Sequence, residues 1–157
     1  MERGQQLEEL LLQSGLVKEE ALQQAQRARE ERGGSLVLHL VRGGVDEGDL
    51  ARALGRLTRL PTVQLAGKRI DPGVLQLVPL EVAARYGCLP LFLKEEDGSR
   101  VLFLGLEDPT DVAVCDDVSF RAGLRVRPVV VGAVELRRAL RAARTEAPPA
   151  SAPRDAA

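Results

Sequence analysis

Two neighbouring segments of this 157-residue chain repeat one pattern of leucines and glycines, and this repeat limits the folds that the chain can adopt. The first segment covers residues 7–28 and the second covers residues 36–57. Their positions align in pairs: Leu7 with Leu36, Leu11 with Leu40, Gly15 with Gly44, and Leu22 with Leu50. A unit that occurs twice at close spacing indicates two copies of one supersecondary element.

Each copy carries the signals of a helical hairpin. Gly15 and Gly44 follow the first helix of their copies, where a glycine in the left-handed conformation ends a helix without steric cost. Acidic residues then open the second helix, with Asp46 as the N-cap in the second copy. Two hairpins with one apolar stripe each bury those stripes best against each other. We therefore predict a four-helix subdomain over residues 1–60.

After residue 60 the repeated helical pattern ends, and signals for strands, turns and short helices follow. Residues 62–65 alternate like a short strand, and Asp71 with Pro72 marks the start of a short helix. Two apolar runs flank Asp97-Gly98, which is a strong β-hairpin signal. A further strand over residues 125–131 and a final amphipathic helix over residues 133–144 complete the order.

This order predicts a small α/β subdomain with a short mixed sheet over residues 61–144, and hence an α+β chain. Residues 145–157 are rich in proline and alanine and lack apolar periodicity, so we expect a disordered tail.

Composition excludes several classes of function. The net charge is −1 and aromatic residues make up 3% of the chain, which argues against a nucleic-acid partner. No apolar run reaches membrane-spanning length and no signal-peptide pattern opens the chain, so we expect a cytoplasmic protein without direct membrane insertion. Cys88 and Cys115 lack CxxC spacing, and His39 is the only histidine, so we predict reduced thiols and no metal site.

Catalysis has little support in the sequence. No G-x-x-x-x-G-K-[ST] phosphate loop is present, which excludes an ATPase motor of that type within these residues. Asp108, Asp111, Asp116 and Asp117 could form a metal or acid–base site, but turn, cap and helix-surface roles are favoured because no second catalytic group lies nearby. We therefore predict a protein that is not an enzyme.

Two further features have simpler interpretations. His39 interrupts an apolar helix, and we expect a packing residue with one ring nitrogen at the solvent. Four arginines are predicted on one face of the last helix. They could bind an acidic partner or a phosphate, but a solvated helix face is the more frequent meaning. These are Arg137, Arg138, Arg141 and Arg144.

The two hairpins are followed by RLPTVQL, IDPGVLQLVPLEVAARYGCLPLFL, LGLEDPTDV and GLRVRPVVV. In this order the segments resemble the N-terminal domain of type II secretion and type IV pilus assembly ATPases, the GspE N-terminal or MshEN-like domain. The resemblance covers all of the chain except the tail. It implies a regulatory or interaction domain that docks on a protein partner of a secretion or pilus machine.

The alternative implied by the resemblance is a sensor, because the doubled hairpin binds cyclic di-GMP in some family members. Gln6 and Ser35 stand where the family motif has arginines, which can contact both guanine and phosphate. Arg29 stands where the motif closes on glutamine. On this alternative the candidate ligand residues are Gln6, Leu7, Leu11, Gly15, Leu16, Leu22, Arg29, Ser35, Leu36, Leu40, Gly44 and Leu50. No other cofactor is expected.

Overall fold

The computed structural model describes residues 2–146, with side chains from residue 6 to residue 145. Its N-terminal part consists of four helices in the predicted order. They are α1 (Glu2–Ser14), α2 (Glu19–Arg32), α3 (Leu36–Arg42) and α4 (Glu47–Thr58). The predicted duplication of a helical hairpin is confirmed.

The leucines of the two hairpins share one interior. Helix α2 packs against α3, and α1 packs against α4, so each helix of one copy meets a helix of the other. The buried cluster contains the aligned leucine pairs of both copies. Burial of this apolar surface is the main stabilising contribution that the two hairpins make to each other.

Helix ends in this part follow the local sequence. Ser35 is the N-cap of α3, where its hydroxyl accepts a hydrogen bond from the Leu38 N–H at 3.0 Å. Asp46 caps α4 in the same way through the Asp49 N–H at 2.9 Å. Gly44 lies between them with φ +119°, a conformation that favours glycine.

The C-terminal part contains four helices and a three-stranded sheet. The strand order is β1-β2-β3, with β1 and β2 antiparallel and β2 and β3 parallel, so the mixed sheet is confirmed. Asp97 and Gly98 both have positive φ in the two-residue turn of the hairpin. The elements are α5 (Pro72–Leu75), α6 (Leu80–Tyr86), β1 (Cys88–Glu96), β2 (Ser99–Leu106), α7 (Val112–Ala122), β3 (Arg125–Val130) and α8 (Ala133–Glu146).

The predicted strand over residues 62–65 is wrong. Only one bridge forms, between Thr62 and Val130. The Val63 N–H still donates to the Val130 carbonyl at 2.9 Å. The Leu65 and Ala66 N–H groups, however, donate to the Glu135 carboxylate, at 2.9 and 3.1 Å, instead of to a strand. Residues 62–66 therefore cross the end of β3 as a loop, which forms hydrogen bonds with both β3 and α8.

The two parts of the chain contact each other through β3 and α8, which pack against α4 and α3. Val130, the last residue of β3, and Ala133, the first residue of α8, both belong to the buried cluster of the hairpins. The Glu47 carboxylate accepts a 2.7 Å hydrogen bond from the Glu135 N–H in the first turn of α8, where a negative charge is favourable.

The division of the chain into two subdomains at residue 60 stays a prediction. Helix α8 continues to Glu146, and residues 147–157 of the predicted tail lie outside the described residues.

We expect both thiols to react slowly in the folded protein. Burial raises the pKa of Cys88 to about 12 and that of Cys115 to about 11. Because the thiolate is the reactive form, a disulfide reagent at pH 8 should label them only after urea unfolds the chain. An unfolded thiol ionises near its ordinary pKa of 9.0, whereas folded Cys88 stays protonated up to a pH of about 12. The free energy of unfolding therefore falls as pH rises from 9 toward 12. Rapid labelling of native Cys88 at pH 8 would contradict this prediction.

Candidate docking groove and hairpin surface

The apolar positions of the candidate ligand set face the protein interior. Six leucines of the set are at most 4% exposed, and the partly buried Leu16 packs against the same cluster. Their role in the structure is packing between the hairpins. The six are Leu7, Leu11, Leu22, Leu36, Leu40 and Leu50.

The remaining members of the set lie at or near the surface. Gln6, Gly15 and Gly44 are exposed, whereas Arg29 is half-buried. The Ser35 hydroxyl oxygen already accepts the hydrogen bond that caps α3. None of the candidate ligand residues lines either of the two cavities described next.

A groove of about 1110 Å³ lies between α8 and the segment of residues 65–80, and we call it the α8 groove. Its apolar lining combines aliphatic side chains with a small-residue face of α8. Two short helices lie on the far side: α5 begins at Pro72, and Pro79 is the N-cap of α6. The apolar residues that line the groove are Leu65, Ala66, Ile70, Leu75, Val78, Leu80, Ala139, Ala142 and Ala143.

The rim of the α8 groove is basic. Lys68, Arg69 and Arg138 line it, and all three are exposed. None of them forms an ion pair with another residue of the described part of the chain. Glu135 also lines the groove, but its carboxylate is occupied by two backbone N–H groups. The groove therefore offers an apolar surface with three cations at its edge.

A second, shallower cavity of about 510 Å³ lies at the C-terminal end of α4. Its lining includes Arg52, Arg56 and Arg59. Arg52 pairs with Asp49 at 2.5 Å. Arg56 in the last turn of α4 and Arg59 at its C-cap are favoured by the helix dipole, so with Arg52 already paired these arginines have a sufficient structural role.

Two acidic residues of the candidate cluster after β2, Asp108 and Asp117, have structural roles. One Asp108 oxygen accepts hydrogen bonds from both the backbone N–H and the hydroxyl of Thr110, while burial raises the pKa of Asp108. Asp117 accepts from the Tyr86 hydroxyl at 2.5 Å and from Arg121 at 3.0 Å, and these bonds lower its pKa. Among residues 2–146 no group of side chains is arranged to hold a metal ion.

Two interpretations of single residues are corrected. Arg137 does not belong to a solvated face, because its guanidinium pairs with the buried Glu107 carboxylate at 2.7 Å. His39 is buried rather than half-exposed, and its Nε2 lies 2.6 Å from the Gly33 carbonyl oxygen, to which that nitrogen donates. Neither Glu107 nor Arg137 carries a local signal of their ion pair, because the two lie 30 residues apart in the chain.

Four helices followed by a small mixed sheet define the class of N-terminal domains found in secretion ATPases. The solved N-terminal domain of XpsE has this fold, with a TM-score of 0.62 and 26% identity over 88% of this chain and 94% of that one. This chain belongs to the MshEN domain family, whose model matches residues 58–149. The resemblance seen in the sequence is thereby confirmed.

Curated relatives are much longer than this chain. The type IV pilus assembly ATPase PilB of Myxococcus xanthus is 27% identical over 135 residues, which cover 85% of this chain and 23% of PilB. PilB of Thermus thermophilus is 37% identical over 120 residues, or 75% of this chain and 13% of that protein. A solved structure of MshE with cdg superposes with a TM-score of 0.59 at 23% identity, over 87% of this chain and 96% of that one. In the described part of this chain, no helix is both long and apolar enough to cross a bilayer.

Proposed function

We propose that this chain is a non-catalytic docking domain, which acts in the cytoplasm and binds a protein partner of a secretion or pilus machine through the α8 groove. The observation that carries the proposal is the groove itself, an apolar surface edged by three exposed cations that form no ion pair with the described residues. Apolar patches with a polar rim mark interaction sites on soluble proteins. Similarity to the pilus assembly ATPases supports a partner from that machinery.

The test is binding to a defined partner. The cytoplasmic domains of the pilus or secretion inner-membrane proteins encoded in the same genome are immobilised, and binding of the purified chain is measured by interferometry. Ala142→Trp places a large side chain in the groove from an exposed position of α8, so we expect affinity to fall about tenfold or more without unfolding.

Ala113→Trp is the matched control, because Ala113 is an exposed helical residue of α7 that does not line the groove. Its affinity should equal that of the unchanged chain. Equal affinities for Ala142→Trp and Ala113→Trp would exclude the groove as the docking surface. Absence of binding to every cytoplasmic domain would overturn the docking function.

A second candidate function is a sensor that binds cyclic di-GMP at the tandem hairpins. Structural likeness to MshE, which was solved with cdg, favours it. Calorimetry with cyclic di-GMP tests it on the unchanged chain, on Gln6→Ala and on Arg29→Ala, with the exposed Arg27→Ala as the control. Micromolar binding that Gln6→Ala or Arg29→Ala weakens and Arg27→Ala preserves would establish the sensor. No heat at about 100 μM ligand would exclude it.

A further inference from the structure

The shape of the α8 groove favours a chain segment over a small molecule. Its volume of about 1110 Å³ exceeds the usual range of about 300–1,000 Å³ for small-molecule sites. Its α8 wall runs from Glu135 to Ala143, which corresponds to about 12 Å of helix. Ala139 and Ala142 present small side chains on this wall, so a second helix axis could approach α8 at the short end of the 8–10 Å range.

The backbone of the groove walls favours a helical occupant over an extended one. An extended peptide binds by adding to a strand edge with free hydrogen-bonding groups. Here one wall is helix α8, and the Leu65 and Ala66 N–H groups opposite are occupied by Glu135. A helix satisfies its own backbone and needs only apolar anchors at the spacing i, i+3, i+4 and i+7.

The charges at the rim define the occupant further. Lys68, Arg69 and Arg138 place three positive charges around the apolar surface, and the groove stays net positive although the Glu135 carboxylate, which accepts from the Leu65 and Ala66 N–H groups, keeps its negative charge. An occupant with glutamates or aspartates beside its apolar anchors would complement them. Rim charges of this kind contribute orientation and association rate more than affinity.

Building on the proposed docking function, we infer that the α8 groove binds an amphipathic helix with an acidic edge, supplied by the partner protein. The apolar face of that helix lies against the alanines of α8 and the aliphatic side chains of residues 65–80. Its acidic edge lies beside Arg138 and the two cations of the opposite rim, Lys68 and Arg69.

The test uses a labelled helical peptide of about 15 residues, with leucines at the anchor spacing and glutamates beside them. A second peptide carries lysines in place of the glutamates. Fluorescence anisotropy should show binding of the acidic peptide at about 10–100 μM and at least tenfold weaker binding of the basic one. Amide shifts on titration should cluster at Lys68, Ala139 and Ala142.

A comparison of Arg138→Glu with Arg141→Glu distinguishes an effect of the groove rim from an effect of the overall charge of the chain. Both arginines are exposed on α8, but only Arg138 lines the groove. We expect Arg138→Glu to weaken binding of the acidic peptide about three- to fivefold and Arg141→Glu to leave it nearly unchanged. Equal effects of the two variants would overturn the inference, as would equal binding of the two peptides or no binding at about 1 mM.

The outcomes also separate this inference from the docking function on which it rests. In one outcome, an assembly protein binds the unchanged chain, binds Ala142→Trp more weakly, and the acidic peptide does not bind. The groove would then remain the docking site, but the inference that its occupant is an acidic helix would be wrong. Should Ala142→Trp leave binding of the assembly protein unchanged, the docking site itself would be wrong, whatever the peptides do.

Discussion

Arg137→Met is expected to lower the free energy of unfolding by about 3–5 kcal/mol. The Glu107 side chain is 1% exposed, whereas that of Arg137 is 20% exposed. Removing the cation leaves a buried carboxylate without its counter-charge, and this loss costs more than the intact pair contributes. Methionine keeps most of the aliphatic stem, so the change tests the charge more than the packing.

The pair joins three elements of the C-terminal part. The Arg137 guanidinium donates to both Glu107 oxygens, at 3.1 and 2.7 Å, and to the Ala84 carbonyl of α6 at 2.7 Å. The Glu107 N–H donates to the Gly87 carbonyl at 3.1 Å. Gly87 has φ +68°, and a Cβ there would lie 2.5 Å from a Glu107 oxygen, so the site requires glycine. Loss of the guanidinium therefore affects α6, β2 and α8 together.

Urea unfolding followed by circular dichroism measures the effect. Arg138→Met is the matched control, because Arg138 is exposed one residue further along α8 and should change stability by less than about 0.5 kcal/mol. The double variant Glu107→Leu, Arg137→Met removes both charges and should recover much of the loss. Arg137→Met within about 1 kcal/mol of the unchanged chain would show that the buried carboxylate is not stabilised by this arginine.

Local signals in the sequence predicted most of the fold. Gly15, Gly44 and Asp46 mark ends of helices in the hairpins, and Asp97-Gly98 marks the turn of the β-hairpin. Each of these depends on one residue and its immediate neighbours. The strand at residues 62–65 failed because its pairing depends on the distant Glu135, which takes the N–H groups that a longer strand would have used.

The α8 groove could not be predicted, because its walls come from segments about 70 residues apart in the chain. In the sequence, Ala139 and Ala142 have only the high helix propensity of any alanine, and no neighbouring residue indicates that a groove lies beside them. Glu107 and Arg137 were missed for the same reason, since a buried ion pair has no signature at either residue alone. Prediction from sequence thus succeeded where a signal is local and failed where two distant segments make the feature.

Leu11→Ala is expected to lower the free energy of unfolding by about 3–5 kcal/mol. Leu11 is fully buried in the hairpin interior, so the substitution removes a large side chain and leaves a cavity. Leu11→Asp would place a carboxylate in the same apolar interior, and we expect it to unfold the four-helix part. Leu40 occupies the aligned position of the second copy and should behave in the same way.

Leu12→Ala provides the matched control, because Leu12 is the next residue of α1 and is 42% exposed. We expect a loss below about 1 kcal/mol, measured as a shift of the urea midpoint at constant slope. Similar losses at Leu11 and Leu12 would contradict the packing of α1 against α4. The contrast also decides which variants can test cyclic di-GMP binding. Loss of binding in Leu11→Asp or Leu40→Asp would report unfolding, so only surface positions such as Gln6 and Arg29 separate ligand contacts from the integrity of the hairpins.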